Sequence, residues 1–420
     1  MEFNMEKLNT ILEKIGQNPY LKSITSGMMH SLPVTIIGSI ASILMNLPIA
    51  TWNDFVQSSN LSTIFDLAMN VTTNMLSIYI VFFITKALTE RLSDGLDGTN
   101  AAVTAIISFL ILTPLQITEG EMGPIKSISF DWIGSKGIFS ALLVAFVVSK
   151  VYQLSQKNNL TIKMPDSVPP MITSTFEGLI PGVMASMLML IISWLFSLTS
   201  FGNIHEFIYS NIQTPLQGLG TNIWSLVIAS IISQLLWFFG IHGTSILLPI
   251  LLPLLLPLDA ENLAAYAAGQ PLPNITGFAF FLFYTSTGMA MGLIVMMLFA
   301  KSKQYKTLGK LSIIPAICGI TEPVIFGTPL VLNFRFFLPF VFSNSIALII
   351  AYFATFFGLV PALNGSNMVM GMPLFLTALM QGGWRTLVLL IVLFVITSVL
   401  WIPGFRKVDQ EAFLAESGEL

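Results

Sequence analysis

The sequence contains few charged residues and few of the side chains that usually carry metal or covalent chemistry. Only 9% of its 420 residues are charged, and it has three histidines and a single cysteine, Cys318. One cysteine excludes an internal disulfide bond and any metal site built on paired cysteines, so the simplest role for Cys318 is packing. The net charge of −3 gives no indication of nucleic-acid binding. We predict neither a metal nor another cofactor.

Apolar residues, by contrast, are abundant. They make up 54% of the chain, and the mean hydropathy is +0.82. A soluble domain cannot bury so much apolar surface, which predicts a polytopic membrane protein. The N-terminal region lacks the apolar core of a cleavable signal. It places Leu8, Ile11, Leu12 and Ile15 on one helical face, which predicts an amphipathic segment over residues 1–24.

Most of the remaining chain divides into apolar stretches that can cross a membrane. A spanning helix needs about 20 mostly apolar residues, and such stretches occur at 25–49, 63–86, 100–116, 137–154, 179–199, 221–240, 278–300, 336–360 and 386–403. Two more, 244–258 and 312–332, are interrupted by proline or glycine. Because each proline removes a helical hydrogen-bond donor, we expect 244–258 to be kinked or broken. We predict an all-α membrane protein with about ten transmembrane helices.

The distribution of lysine and arginine predicts the orientation of the chain. Basic residues cluster in alternate loops, so both termini are expected on the cytoplasmic side of the membrane. A polar linker is predicted at 156–178. The predicted regions are an N-terminal segment (1–24), a scaffold of four spans (25–155), this linker, the fifth span with a substrate-handling half (179–403) and a cytoplasmic tail (404–420).

Glu322 is the most unusual residue, because it is a carboxylate in a long apolar stretch. Between Lys310 and Arg335 no other residue is charged. A carboxylate at membrane depth costs a few kcal/mol or more, so it usually faces a cavity, a partner or a substrate. Gly319, Pro323 and other breakers around it argue against a continuous helix. This pattern predicts a polar binding site within the membrane, with Glu322 and its neighbour Thr321 as candidate ligands.

A second interrupted stretch contains Trp237, His242 and Gly243. Glycines on both sides of His242 expose the backbone to a ligand. An isolated histidine would more often be a packed residue of the bundle, but two interrupted segments in one membrane domain are typical of a transporter binding site. A carboxylate, an imidazole and an indole face suit a neutral polyhydroxylated ligand.

Other polar residues are weaker candidates. Asn364 and Asn367 either line a re-entrant loop or form an ordinary turn. We assign neither His30 nor His205 to the site. A proton-coupled secondary transporter that uses Glu322 and His242 as a proton relay is the alternative function.

Several motifs of the chain resemble those of the membrane-embedded permease subunit, enzyme IIC, of the bacterial phosphoenolpyruvate-dependent sugar phosphotransferase system. Residues 319–323 read GITEP, which is similar to a signature of this family. Residues 237–242 read WFFGIH and resemble its lactose, cellobiose and chitobiose branch. The motifs NPYL at 18–21, TPLQGLG at 214–220 and GWR at 383–385 are also similar. The resemblance extends over nearly the whole chain.

The resemblance implies a homodimer with an N-terminal dimerisation half and an elevator-type C-terminal transport half that contains two re-entrant hairpins. It implies that Glu322 orients or deprotonates the sugar hydroxyl that is phosphorylated and that His242 lies close to it. Trp237, Thr321, Gly243 and Asn364 would also contact the sugar. The phosphoryl donor would be a phosphocysteine on a separate enzyme IIB, itself supplied by enzyme IIA, so this subunit would carry no phosphorylated residue of its own.

The chain departs from the family pattern in one stretch. Cellobiose and chitobiose members tend to carry a Trp and a Thr/Pro-rich run between the positions of Pro361 and Pro373, where this chain has neither. The second sugar ring is then met by Trp237 or phenylalanines, or the substrate differs. Cellobiose, diacetylchitobiose and lactose all remain possible substrates at this stage.

Overall fold

The structure is a computed structural model of the chain. It describes residues 14, 17–46, 49–92, 98–120, 123–165, 167–288, 290–328, 330–366 and 372–417. Only the backbone is described for Ala50, Gly120, Pro170, Met171, Thr287, Gly288, Glu322 and Phe326. The predicted amphipathic face from Leu8 to Ile15, and Asn367, therefore lie outside the described residues.

The chain forms two compact units, the first made of residues 1–218 and 248–260. Its helices are α1 (Pro19–Met45), α2 (Ala50–Ser58), α3 (Leu61–Asn70), α4 (Leu76–Leu92), α5 (Gly98–Leu112), α6 (Phe130–Ile133), α7 (Ile138–Lys157), α8 (Pro170–Glu177), α9 (Leu179–Ser197), α10 (Ile204–Ile208) and α11 (Thr214–Thr221). An antiparallel hairpin, β1 (Leu115–Gly120) and β2 (Gly123–Ile128), follows α5. The described chain is thus mostly helical, as predicted, with one short β-hairpin that the all-α prediction did not include.

Helix α4 is the centre of the first unit, because α1, α5 and α7 all pack against it. Small residues permit this close approach: a Cβ on Gly27 would lie 2.3 Å from the side chain of Ile84. Buried hydroxyls add hydrogen bonds between helices, such as that from Thr89 to Ser149 at 3.0 Å. Helix α9, the predicted fifth span, packs against α5 and α7 and belongs to this unit.

The second unit contains residues 219–247 and 261–420. Its helices are α12 (Ile223–Phe238), α13 (Gly243–Ala267), α14 (Phe278–Gly288), α15 (Met291–Leu298), α16 (Lys303–Ile317), α17 (Glu322–Gly327), α18 (Phe337–Phe356) and α19 (Leu374–Ser417). The middle of α13, residues 248–260, is grouped with the first unit. Helix α19 leaves helical geometry at Gly383, where φ is 75° and ψ is −166°.

Eight described helices, or nine if the bent pair 204–221 and 223–238 counts as one span, are long and apolar enough to cross a membrane. This range confirms a multi-pass helical protein but does not fix the predicted number of ten. The first-unit helix α5 has 15 residues and is shorter than the predicted span 100–116. The functional division at residues 156–178 stays a prediction.

The predicted break within 244–258 does not occur, and the alternative, a kink, stays a prediction. Helix α13 is continuous through Pro249, Pro253 and Pro257. The prolines recur every four residues, so the backbone positions that lose a donor fall in one narrow strip of the helix. The remaining hydrogen bonds sustain the helix, and the interruption instead precedes it, between Phe238 and Gly243.

The C-terminal end of α19 is an ordered helix that is hydrogen-bonded to the start of α16. The buried carboxylate of Asp409 accepts hydrogen bonds from the backbone N–H groups of Lys301, at 2.9 Å, and Ser302, at 3.0 Å. Glu416 accepts in the same way from Lys303 at 2.8 Å and Gln304 at 2.9 Å. Carboxylates are favoured at a helix N-terminus because they pair with free N–H groups and with the helix dipole. We call this contact the carboxylate clamp.

We predict that Asp409→Ala loosens the start of α16. It would leave two backbone N–H groups unpaired, one of them in the buried Ser302, at a cost of about 2–3 kcal/mol. Hydrogen–deuterium exchange at residues 301–305 should accelerate by roughly tenfold or more. The matched control is Asp54→Ala, which removes an exposed carboxylate from α2 in the first unit. Unchanged exchange at 301–305 would show that the clamp does not stabilise the helix.

Candidate functional site

The two interrupted segments of the second unit have the same backbone design. Helix α12 ends in a turn at Gly240, where φ is 81°. In this turn Gly240 N donates to Trp237 O and Ile241 N donates to Leu236 O, both at 2.9 Å. Helix α16 ends in the same way at Gly319, where φ is 79°. This is the Schellman turn, which needs a residue in the left-handed region and therefore favours glycine.

A new helix starts immediately after each turn. In the first segment His242 is the N-cap of α13, and in the second Thr321 is the N-cap of α17. His242 and Thr321 thus occupy equivalent positions, each two residues beyond the turn glycine. The interruption predicted around Glu322 is confirmed, since residues 318–321 separate two helices.

The structure brings the two segments together. The N–H group of Leu332, just beyond α17, donates to the carbonyl oxygen of Phe238 at 2.9 Å. A Cβ on Gly240 would lie 3.4 Å from the side chain of Val331. Trp237 and Phe238 share one buried hydrophobic cluster with Val324, Ile325 and Leu330 of the second segment.

His242 is exposed and is fixed through one of its two ring nitrogens. Its Nδ1 lies 3.2 Å from the backbone N of Ser245 and 2.9 Å from the Ser245 hydroxyl. The imidazole therefore caps the N-terminus of α13, a place usually taken by Ser, Thr, Asp or Asn. Among the side chains that the structure describes, none forms a hydrogen bond with Nε2.

The indole of Trp237 packs against the imidazole of His242. It is buried, and its ring centroid lies 4.3 Å from that of His242 with the planes inclined at 46°. Its Nε1 lies 3.5 Å from the hydroxyl of Thr244, which in turn lies 3.3 Å from the hydroxyl of Ser233. One face of the indole is thus taken by His242.

The position after His242 has no room for a side chain, which explains the glycine at 243. Its backbone packs directly on α12, and a Cβ there would lie 2.0 Å from the carbonyl oxygen of Ser233. No other residue fits without moving one of the two helices.

On the second segment, Thr321 is buried and its side chain does not cap α17. Its carbonyl oxygen accepts from Val324 N and Ile325 N, each at 3.1 Å. Glu322 is the first residue of α17, but its side chain lies outside the described part of the chain. Its backbone position is therefore known, whereas its hydrogen-bond partners stay a prediction.

Asn364 holds its own loop together. Its Nδ2 donates to Met380 O at 2.9 Å, and its Oδ1 accepts from the N and Oγ of Ser366 at 3.0 and 2.7 Å. The side chain is buried. Its predicted contact with substrate stays untested, and the geometry is that of a side chain that stabilises a turn.

The other two histidines lie in the first unit. His205 is fully buried, with its Nε2 3.2 Å from the Thr113 hydroxyl and its ring against Phe109. His30 is exposed and bonds to the carbonyl oxygen of Ser26. Within the described residues, no group of three or more His, Cys, Asp or Glu is placed to hold a metal ion.

Three hydroxyl residues of the site were missed by the sequence analysis. Thr244 and Ser245 directly follow Gly243, and a serine three positions after a helix N-cap is a local signal that could have been read. Ser233 carried no such signal, because its role depends on α12 and α13 packing at Gly243.

A model of the family described as "Phosphotransferase system, EIIC" matches residues 25–344, about three quarters of the sequence. The chain belongs to the phosphotransferase system EIIC family. It is thus a membrane sugar permease, and an EIIC works with EIIB and EIIA components. The multi-pass helical architecture agrees with this assignment.

Known EIIC proteins are similar to this chain over almost its full length. The oligo-beta-mannoside-specific EIIC component of Bacillus subtilis (strain 168) is 34% identical over 95% of the chain and 92% of the relative. The cellobiose-specific EIIC component of Geobacillus stearothermophilus is 28% identical over 99% and 95%. The crystal structure of the transporter ChbC, the IIC component of the N,N'-diacetylchitobiose-specific system, superposes with a TM-score of 0.91 at 31% identity, covering 99% of this chain and 100% of that one.

The packing of Gly243 generates a prediction about this EIIC chain. Gly243→Ala should push the His242 turn away from α12, because the added Cβ meets a backbone oxygen at 2.0 Å. We expect a loss of about 1–3 kcal/mol in unfolding free energy and a large reduction in sugar uptake by proteoliposomes. Gly218→Ala is the control, since a Cβ there meets open space. Wild-type uptake by Gly243→Ala would contradict the proposed role of this contact.

Proposed function

We propose that this EIIC permease translocates a β-linked disaccharide or short oligosaccharide, and that it presents one sugar hydroxyl to the phosphocysteine of an EIIB component. The sugar is held between the His242 turn and the Thr321–Glu322 turn. The observation that carries this proposal is the meeting of the two turns in one buried cluster, with the Leu332–Phe238 hydrogen bond between them. The oligo-β-mannoside, cellobiose and diacetylchitobiose specificities of the relatives support the choice of a β-linked sugar.

The chemistry of the turns favours a neutral ligand with many hydroxyl groups. No lysine or arginine occurs in 233–245 or 318–332, so neither turn offers a cation to an anionic substrate. Imidazole, the Thr321 hydroxyl and the Glu322 carboxylate together provide donors and acceptors for sugar hydroxyls. In this proposal Glu322 accepts a hydrogen bond from the hydroxyl that is phosphorylated and orients it, or takes its proton as the phosphoryl group is transferred.

Two further parts of the proposal rest on the family resemblance. The protein acts as a homodimer through its N-terminal half, while the second unit carries the sugar across the membrane. Both termini face the cytoplasm, because the basic loops follow the positive-inside pattern. The phosphoryl group then reaches the sugar from the cytoplasmic EIIB.

We predict that Glu322→Gln and His242→Ala each weaken sugar binding by roughly tenfold or more. Glu322→Gln replaces a charged acceptor with a weaker neutral one, and His242→Ala removes a hydrogen bond to the desolvated sugar. Binding to purified protein is measured with cellobiose, β-mannobiose, lactose and N,N'-diacetylchitobiose. Glu322→Gln should also slow phosphoryl transfer from phosphorylated EIIB at saturating sugar.

The controls for these variants are Glu90→Gln and His30→Ala, which change exposed residues of the first unit. They should bind and transfer like wild type. The site assignment is refuted if both site variants bind and support transfer normally.

The coupling to phosphorylation generates a separate prediction. In sealed vesicles, sugar accumulation should require phosphoenolpyruvate and the soluble components and should appear as sugar phosphate. A protonophore should have little direct effect. Accumulation of unmodified sugar that collapses with the proton gradient would favour the secondary transporter in which Glu322 and His242 relay protons.

A further inference from the structure

The orientation of the His242 ring specifies which of its nitrogens carries a proton. The backbone N–H group of Ser245 can only donate, so the Nδ1 atom 3.2 Å away must accept. The Ser245 hydroxyl, 2.9 Å from the same atom, is then also a donor. A neutral imidazole with an accepting Nδ1 carries its proton on Nε2.

The opposite tautomer conflicts with the helix that follows. A proton on Nδ1 would point at the Ser245 N–H group, and two donors would face each other. The N-terminus of α13 would lose its cap. The same conflict arises if the imidazole is doubly protonated.

The contacts around His242 restrict movement of its ring. Its backbone is fixed on one side by the Gly240 turn and on the other by the packing of Gly243 on Ser233. Its face rests on the buried ring of Trp237. A 180° flip of the imidazole would break the cap, because it would place a carbon atom instead of Nδ1 against Ser245.

We infer that Ser245 is a positioning residue: it holds His242 in the tautomer with the proton on Nε2, so that His242 presents a hydrogen-bond donor to the bound sugar. This inference rests on the proposed function for the identity of the ligand. It assigns His242 a donor role toward a sugar oxygen. It also excludes His242 as the group that accepts the proton of the phosphorylated hydroxyl, which passes to Glu322 or to water.

The tautomer is measurable directly because the chain has only three histidines. Protein labelled with ¹⁵N-histidine is reconstituted in nanodiscs, and His242→Gln assigns the signal of His242. We expect a protonated Nε2 and an unprotonated Nδ1 in the wild type. A wild-type signal with the proton on Nδ1 would overturn the inference, whatever the protein transports.

Ser245→Ala tests the positioning residue itself. The variant keeps the backbone N–H group at position 245 but removes the shorter of the two hydrogen bonds to Nδ1. We therefore expect the population of the opposite His242 tautomer to rise measurably and the affinity for the best-bound disaccharide of the panel to fall roughly threefold to tenfold, as for the loss of one hydrogen bond. The turnover of phosphoryl transfer at saturating sugar should stay within about twofold, since the hydroxyl that reacts is held by Glu322. Ser245→Thr should restore both the tautomer and the affinity.

The control is Ser302→Ala, which removes the N-cap hydroxyl of α16 in the same unit, one that accepts from Tyr305 N at 3.3 Å. It should leave the His242 signal and sugar affinity unchanged. A Ser245→Ala protein with lower affinity but an unaltered tautomer would show a merely structural role and overturn the inference. If no disaccharide binds the wild type, the proposed function fails, while the tautomer of His242 is still decided by the spectrum.

Discussion

The site depends on one constraint: inside an apolar protein, the backbone N–H and C=O groups at helix ends must find hydrogen-bond partners. Every helix leaves four N–H and four C=O groups without helical partners, and each such group costs several kcal/mol where no water reaches it. At Gly240 and Gly319 the orphan carbonyls are satisfied by the turn itself. At α13 the orphan N–H group is satisfied by an imidazole. The histidine is therefore a structural cap and a candidate ligand at once, and its two nitrogens divide these tasks.

The second segment is held at both of its ends rather than at the site alone. Helix α16 leads to Thr321. The carboxylate clamp binds N–H groups just before the start of α16 through Asp409 and at its start through Glu416. After α17 the chain is tied to α12 through Leu332. Between these points the side chains of Val324 and Ile325 in α17 are buried in the common cluster. The backbone positions of Thr321 and Glu322 are therefore fixed by contacts on either side of the turn.

Local rules explain which parts of this architecture could be predicted from sequence. The interruption at 318–321 follows from glycine and proline chemistry, which acts within a few residues, and it was predicted correctly. The same rules overestimated the effect of the prolines in α13, because a helix with good hydrogen bonds on either side tolerates a strip of missing donors. The clamp could not be predicted, since Asp409 and Lys301 are 108 positions apart. Ser245, by contrast, is only three positions from His242. Its role was still not predicted, because it follows from the geometry of the helix cap and not from the residue type.

The absence of cations from both turns also defines what this subunit contributes to catalysis. Transfer of a phosphoryl group develops negative charge on its oxygens, which enzymes usually stabilise with Arg, Lys or metal ions. Residues 233–245 and 318–332 supply none of these side chains, and Glu322 adds a carboxylate. Under the proposed function, the turns hold the sugar and orient one hydroxyl, and stabilisation of the phosphoryl group falls to groups outside them, such as those of the donor protein.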